Sequence, residues 1–395
     1  ATWGKLGTYY EKPDVEYQHI LRCMDILSEH YSKYMEWLFR KSNNVVERNT
    51  SVMYYDCTNF YSECESADED YIDEVTGELI EGLCRFGYSK EHRPNPIVEM
   101  GLFMDMRGIP ISMCINPGNK NEQVTAIPME QEILRMTDGA KFIYCADAGL
   151  GSYNIRKFNS MGGRAFIVTQ SVKKLSDDLK KLVFSDTDYR RLSDDAPASI
   201  ELMKTFDRFD PDNLALYNDR IYKLIPAELA MDLGLFEFKQ LKNGKFRKQK
   251  AKGVIDQYVI VTFSRKMMEY QRSVRNRQIE RAKEMLKGGD PEEIKKGPND
   301  VRRFMKRIAK TKDGEDAKVE YVLDNEKISE EEKYDGFYAV ATNLDDPAKD
   351  ILAVMEKRYK IEECFRIMKT HFNGRPFYHN RPDRIKAHFM ICYTA

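Results

Sequence analysis

Hydrophobic positions change their period several times along the chain. In "ILRCMDILSEHYSKYMEWLF" they recur at three and four residues, which predicts helix over residues 1–46. From Met53 to Tyr61, "MYYDCTNFY" is an aromatic run that favours a strand. Asp56 sits in its middle, where a buried carboxylate without a partner is costly. Either a cation neutralises it or the strand ends at its edge. Residues 62–78 carry eight carboxylates and read as an acidic loop. "PIVEMGLFMDMRG" and "IPISMCINPGN" predict two strands turning at Arg107-Gly108, then a Pro-Gly-Asn loop at 117–119. A short helix over Met129–Met136, a buried strand over 141–145 ending before Asp147, a helix over Ser152–Met161 and a strand at "AFIVTQS" complete this part. The order predicts an α/β fold, a mixed sheet flanked by helices.

The texture changes between about residues 173 and 335. Isolated strand patterns ("RIYKLI", "QYVIVTFS", "VEYVL") alternate with polar stretches, and one long basic helix, "RKMMEYQRSVRNRQIERAKEMLKGG", stops at Gly288-Gly289. "GFYAVATNL" returns to strand, and helix is expected from Pro347 to about Thr370. The reading is an N-terminal helical region at 1–50, an α/β core at 51–172 and 336–395, and a largely β, basic insertion subdomain at 173–335.

Composition adds a charge asymmetry. The 395 residues are 42% hydrophobic, enough for two or three domains, and the net charge is −1. Between Lys239 and Lys312, however, 23 Lys and Arg stand against 8 Asp and Glu. A polyanionic partner explains such a block, and so does a solvated helical face. The eight cysteines include no C-x-x-C pair, which argues against zinc, and their apolar surroundings suit reduced thiols in a cytosol. No apolar run approaches 18 residues and no signal-peptide pattern is present, so no membrane is expected. The start at Ala1 and the stop inside "HFMICYTA" read as a piece of a longer protein.

Three acidic residues occupy distinctive places. Asp56 lies within a strand, Asp147 just past one, and Glu362 on the helix "EKRYKIEECFRIMKTHF". Ligands gather at the carboxyl ends of strands in open sheets, so the three can converge. At about 100° per residue, Arg358, Arg366 and Lys369 share the stripe of Glu362, beside an apolar stripe of Val354, Ile361, Phe365 and Met368. Those cations are ordinary i,i+4 ion pairs, or they flank a metal-binding glutamate and contact phosphate. Three carboxylates without a histidine cluster suit Mg²⁺ or Mn²⁺. Two such ions about 3.5–4 Å apart would clamp both oxygens of a phosphodiester displacement.

"YYDCTNFYSE", "CADAGLGSYN" and "RYKIEECFRIMK" resemble bacterial insertion-sequence transposases of the DDE class, as do "INPGNKNE" and "RPFYHNRPDRIKAHFMI". The resemblance covers about residues 50–395. It implies an RNase H-like core interrupted by a β-rich insertion between the second Asp and the Glu. It implies Asp56, Asp147 and Glu362 as catalytic and metal-binding residues, with two Mg²⁺ or Mn²⁺ ions. In the Y-R-E-K signature, Arg358, Glu362 and Lys369 match, while Met355 stands at the tyrosine position. The implied activity is cleavage at transposon ends and transfer of the 3′-hydroxyl into target DNA. Arg358, Lys369, Arg366, Arg375, Lys90 and Arg93 are candidate DNA contacts, and the basic insertion would grip phosphates. His92, His379 and His388 read as structural or DNA-facing. A homodimer in a synaptic complex and a cytoplasmic, nucleoid-associated location are implied too. An RNase H-like nuclease without strand transfer and a non-catalytic DNA-binding relic are the alternatives, and RNA or a protein could instead engage the basic helix.

Overall fold

The computed structural model describes residues 14–72, 74, 76–287, 300–310 and 318–395. The expected helix stop at Gly288-Gly289 and the first 13 residues lie outside these.

In chain order the elements begin with α1 (Tyr17–Glu29), α2 (Tyr31–Ser42), β1 (Val52–Tyr61), and the short β2 (Tyr71–Ile72) and β3 (Leu79–Ile80). There follow β4 (Ile97–Asp105), β5 (Pro110–Pro117), α3 (Gln123–Met136), β6 (Ile143–Ala146), α4 (Tyr153–Phe158) and β7 (Ala165–Thr169). Next come α5 (Asp177–Phe184), β8 (Tyr189–Arg191), β9 (Pro197–Ala198), α6 (Ile200–Thr205), α7 (Leu214–Asn218), β10 (Ile221–Gln240), β11 (Phe246–Phe263) and α8 (Arg265–Lys287). The rest are β12 (Met305–Lys310), β13 (Lys318–Leu323), α9 (Asn325–Glu332), β14 (Phe337–Thr342), α10 (Ala348–Glu356), α11 (Tyr359–Arg366) and α12 (Pro382–Thr394).

The chain forms two compact units. One comprises residues up to 169 with 228–257 and 341–395, the other 170–227 with 258–340. In the first, the strand order is β5-β4-β1-β6-β7. Strands β5, β4 and β1 are antiparallel neighbours, whereas β1, β6 and β7 run parallel. This is the mixed sheet flanked by helices that the order of elements in the sequence predicts. Its central strands are buried on both faces, so β1 and β4 read as nearly continuous apolar runs rather than alternating ones. Helices pack against it: α10 on β6 and β7, α11 on β1, and α2, α3 and α12 on β5. Gly101 is required inside β4, since a Cβ there would lie 2.5 Å from the Tyr55 hydroxyl and 2.9 Å from Cys114 Sγ.

Two ion networks link parts of the first unit, one buried and one partly exposed. Arg48 is enclosed between α2 and the β4–β5 turn. Its guanidinium donates to Asp105 at 2.7 Å, to Ser42 Oγ at 2.7 Å, and to the carbonyls of Ile109 and Pro110. Asp105 in turn accepts from the Arg107 and Ile109 amides. At the other end of the helical region, Arg384 of α12 makes a two-pronged bond to Asp25 of α1, at 2.9 and 3.0 Å.

Glu130 of α3 is wholly buried. Burial pushes its carboxyl up to about 8, with Asn159 and Arg164 only partly opposing the rise. An acid raised in the folded state stabilises fully below its unfolded value, and that contribution is lost as pH climbs through the folded one. Stability should therefore decline between about pH 4.5 and pH 8, by a few kcal/mol in total. Glu130→Gln should flatten that decline in thermal melts at pH 5 and pH 9. Equal slopes for variant and parent would contradict it.

Several elements differ from the sequence reading. Helix was expected only over Met129–Met136. In the structure α3 begins at Gln123 and runs through Pro128. The buried Thr125, Ala126, Met129 and Ile133 sustain it at the cost of one backbone bond. The helix expected over Pro347–Thr370 is broken. It ends at Glu356, resumes at Tyr359, and closes in a π-helical turn at Ile367–His371. The short strands expected at "RIYKLI" and "QYVIVTFS" belong to β10 and β11, of 20 and 18 residues. Residues 231–240 of β10 and 246–248 of β11 are exposed on both faces and so lack the burial alternation that marks a half-buried strand. The acidic loop holds β2, which pairs with β3 just past the loop's end in a two-residue ladder.

In the second unit the strand order is β14-β11-β10-β8-β9, with a separate β12–β13 ribbon. Helices α5 to α9 accompany these strands. One cluster gathers Tyr189, Ile200, Met203, Phe206, Tyr217, Ile221, Phe263 and Met268. Arg275 on α8 forms a buried two-pronged bond to Asp335 at 2.6 and 2.6 Å. The basic helix is thus anchored by one of its own cations.

Candidate catalytic cleft

Strands β1 and β6 run side by side, with Tyr54 paired to Cys145. Continuing that register by two residues places Asp147 level with Asp56. Asp147 is the first residue past β6 and caps the 3₁₀ turn Ala148–Leu150, accepting the Gly149 amide at 2.9 Å. The Asp56 side chain is largely buried, and its Oδ1 accepts the Cys57 amide at 2.8 Å. Burial pushes the Asp56 carboxyl up to about 6, against the Cys57 amide bond and Lys90; the negative charge of Asp147 adds to the rise and Arg358 opposes it.

Helix α11 brings the third acid. Ile361 and Phe365 bury one stripe of it, and Met368 continues that stripe into the π turn. Glu362 lies on the open side. The two helices meet at Arg358, whose guanidinium spans the cleft: Nη1 lies 3.3 Å from Asp56 Oδ2, and Nη2 lies 2.8 Å from Glu362 Oε1. Met355, at the tyrosine position of the signature, is buried with its sulfur 3.5 Å from Cys145 Sγ.

An open cavity of about 430 Å³ results. Its lining includes five cations (Lys90, Arg358, Arg366, Lys369 and Arg375) against three carboxylates (Asp56, Asp147 and Glu362). Lys90 donates to the Cys57 carbonyl at 2.6 Å and pairs with Glu122 at 2.9 Å. Lys369 donates to Thr58 Oγ1 at 2.7 Å and lies 3.4 Å from Glu91. Burial, with the nearby Lys90, brings the Lys369 ammonium down to about 8. Arg375 pairs with Glu91 and Arg366 with Glu363. Arg93 stands apart from this lining, its guanidinium 5.2 Å from the Tyr61 ring centre. Glu91 and Thr58 were missed by the sequence reading, although both neighbour residues it selected. The His379 and His388 rings pack in a tilted arrangement, 5.7 Å between centroids, and burial pushes His388 down to about 4.

Among the described residues, no three His, Cys, Asp or Glu side chains are placed to hold a metal ion together. The donor set nonetheless fits a hard divalent ion. It is all carboxylate oxygen, Asp56 and Asp147 repel each other, and a cation already stands between Asp56 and Glu362 in the form of the Arg358 guanidinium. No helix among the described residues is long and apolar enough to cross a membrane.

A family model described as "Transposase DDE domain" matches residues 84–395, a stretch that contains Asp147 and Glu362 but begins after Asp56. No curated protein matches the chain. Among solved structures, a piggyBac transposase synaptic complex with hairpin DNA is similar at 8% identity and a TM-score of 0.34, over 88% of this chain and 45% of that one. A Mos1 transposase paired-end complex with the left transposon end gives 10% identity and a TM-score of 0.20, over 40% of this chain and 44% of that one. A Mos1 mariner paired-end complex with Mn gives 10% and 0.20, over 42% and 49%. The chain therefore spans less than half the length of each.

Proposed function

The chain belongs to the transposase DDE domain family, and on that premise we propose that it cleaves transposon ends and joins their 3′-hydroxyl to target DNA. The observation that carries this reading is the meeting of Asp56, Asp147 and Glu362 at one cation-rimmed cleft, from positions 91 and 215 residues apart. Asp56, Asp147 and Glu362 would hold Mg²⁺ or Mn²⁺. When bound, a pair of such ions supplies activation of the attacking hydroxyl and charge stabilisation on the leaving oxygen.

The chain's own groups do the rest. Lys90, Lys369 and Arg375 line the cleft and offer positive charge to a DNA backbone. Thr58 and Glu91 fix Lys369, so one donor is positioned before DNA arrives. Lys242 and Lys245 in the β10–β11 turn, with Arg247, Lys248 and Lys250 in the first residues of β11, are exposed and give that arm its own positive charge. Each phosphate neutralised should add about −0.9 to the slope of log affinity against log salt. Two DNA ends must be held at once, so a homodimer is part of this reading.

Joining separates this reading from the nuclease alternative. The full chain with Mn²⁺ should nick supercoiled plasmid and also join a labelled oligonucleotide bearing a 3′-hydroxyl to it. Nicking without joining would replace the reading with a nuclease. Neither reaction would leave a DNA-binding relic.

A further inference from the structure

We propose that Arg358 is a guard on the metal site, closing it until a DNA phosphate draws its guanidinium away. This rests on the catalytic reading of Asp56, Asp147 and Glu362 given above.

Asp56 has two oxygens, and both are engaged. Oδ1 accepts the Cys57 amide, and Oδ2 faces Arg358 Nη1. Glu362 gives Oε1 to the other arm of the same guanidinium. A metal ion bridging Asp56 and Glu362 would have to take the place Arg358 now fills. Two positive centres cannot share it, so loading requires that the guanidinium leave.

The pair between Arg358 and Glu362 alone would be an ordinary helical i,i+4 contact of little weight. The second arm is different. It reaches Asp56, 302 residues away in sequence, at a mostly buried position. Arg358 sits between α10 and α11 with its backbone held in helical geometry, φ −57° and ψ −26°, its amide donating to Met355 and its carbonyl accepting from Ile361, so release of the guanidinium is a side-chain motion.

A planar guanidinium matches a phosphate as well as it matches a carboxylate. DNA entering the cation-lined cleft therefore competes for Arg358 and uncovers the carboxylates. The consequence is coupling: DNA raises metal affinity, and metal raises DNA affinity by the same factor. Without DNA, the site stays poorly loaded.

The test is Mn²⁺ binding to the full chain without DNA, read by electron paramagnetic resonance of the free ion, with circular dichroism melts to confirm folding. Arg358→Gln should bind Mn²⁺ roughly tenfold more tightly than the parent, the combined worth of two partly exposed ion pairs. Asp56→Asn should lose the site. If Arg358→Gln leaves affinity unchanged or weaker while Asp56→Asn abolishes it, the guard is refuted and the catalytic reading stands. If Asp56→Asn binds Mn²⁺ as the parent does, the catalytic reading itself fails. Should Arg358→Gln not fold, Arg358→Lys decides, because it keeps the charge but not the two-armed reach. Tighter Mn²⁺ binding by that variant supports the guard, and unchanged binding overturns it.

Discussion

Replacing Asp56 with asparagine is expected to slow metal-dependent DNA nicking by at least about 10³-fold, while the thermal melt moves by no more than a few degrees. The two halves of this expectation have separate causes. Asparagine keeps the shape of the side chain and its Oδ1, which accepts the Cys57 amide at 2.8 Å. It removes the charge that a divalent ion requires. A metal ion contributes several kcal/mol to such a transition state, and about 4 kcal/mol corresponds to 10³-fold. Stability should barely suffer, because burial and Asp147 already disfavour the ionised carboxylate. Nicking rates and melts of parent and variant, taken together, check both. Activity within tenfold of the parent would remove Asp56 from the site. Loss of activity together with loss of the fold would leave it a structural residue.

The largest effect on stability is expected at Arg48. Its guanidinium is almost fully enclosed and donates to four groups, among them the wholly buried Asp105 carboxylate. Truncation to alanine leaves the buried Asp105 carboxylate without its cation, Oδ2 losing its donor while Oδ1 keeps the Arg107 and Ile109 amides, and takes a donor from the Pro110 carbonyl. Breaking a buried pair on one side costs about 3–5 kcal/mol, or roughly 10 °C in Tm for a unit of this size. Arg40, whose partner Glu36 lies one turn away on the exposed face of α2, makes the contrast. Arg40→Ala should cost less than about 0.5 kcal/mol. If calorimetry gives the two variants similar melts, the Arg48 network is not what joins α2 to the β4–β5 turn.

The parts of the fold that could be read in the sequence are those where one physical demand dominates. β1, β4, β5, β6 and β7 are apolar because the sheet is covered, and their positions along the chain, with the β4–β5 hairpin, were visible from that; their order in the sheet was not. The arm formed by β10 and β11 was not visible at its true length. Phe236, Phe238 and Phe246 are exposed there, so burial imposes no pattern on them. The break before α11 was hidden for another reason. Lys357 and Arg358 are both good helix formers, and local propensity gives no sign that the chain turns between them.

The candidate site divides in the same way. An aspartate in an aromatic strand is locally anomalous, so Asp56 announces itself. Asp147 and Glu362 are marked by their places at a strand end and on a half-buried helix. The contacts that organise the cleft carry no such signal. Arg358 to Asp56 spans 302 residues and Lys369 to Thr58 spans 311. The helical wheel placed Arg358 beside Glu362, and that pair exists, but the wheel has no way to show the second arm. The six candidate DNA-binding cations also looked alike in sequence. In the structure five line the cleft, four of them paired with Glu91, Glu122, Glu363 or the site carboxylates at hydrogen-bonding or ion-pair range, and Lys369 held between Thr58 and Glu91. Arg93 packs instead on Tyr61.

The most direct measurement is a crystal structure of the full chain grown with Mn²⁺ and a duplex oligonucleotide, with data collected at the manganese absorption edge. Anomalous peaks should lie within bonding distance of the carboxylate oxygens of Asp56, Asp147 and Glu362, with Arg358 turned away onto a phosphate. Manganese bound elsewhere, or three carboxylates still apart with DNA in the cleft, would contradict the proposed catalytic centre.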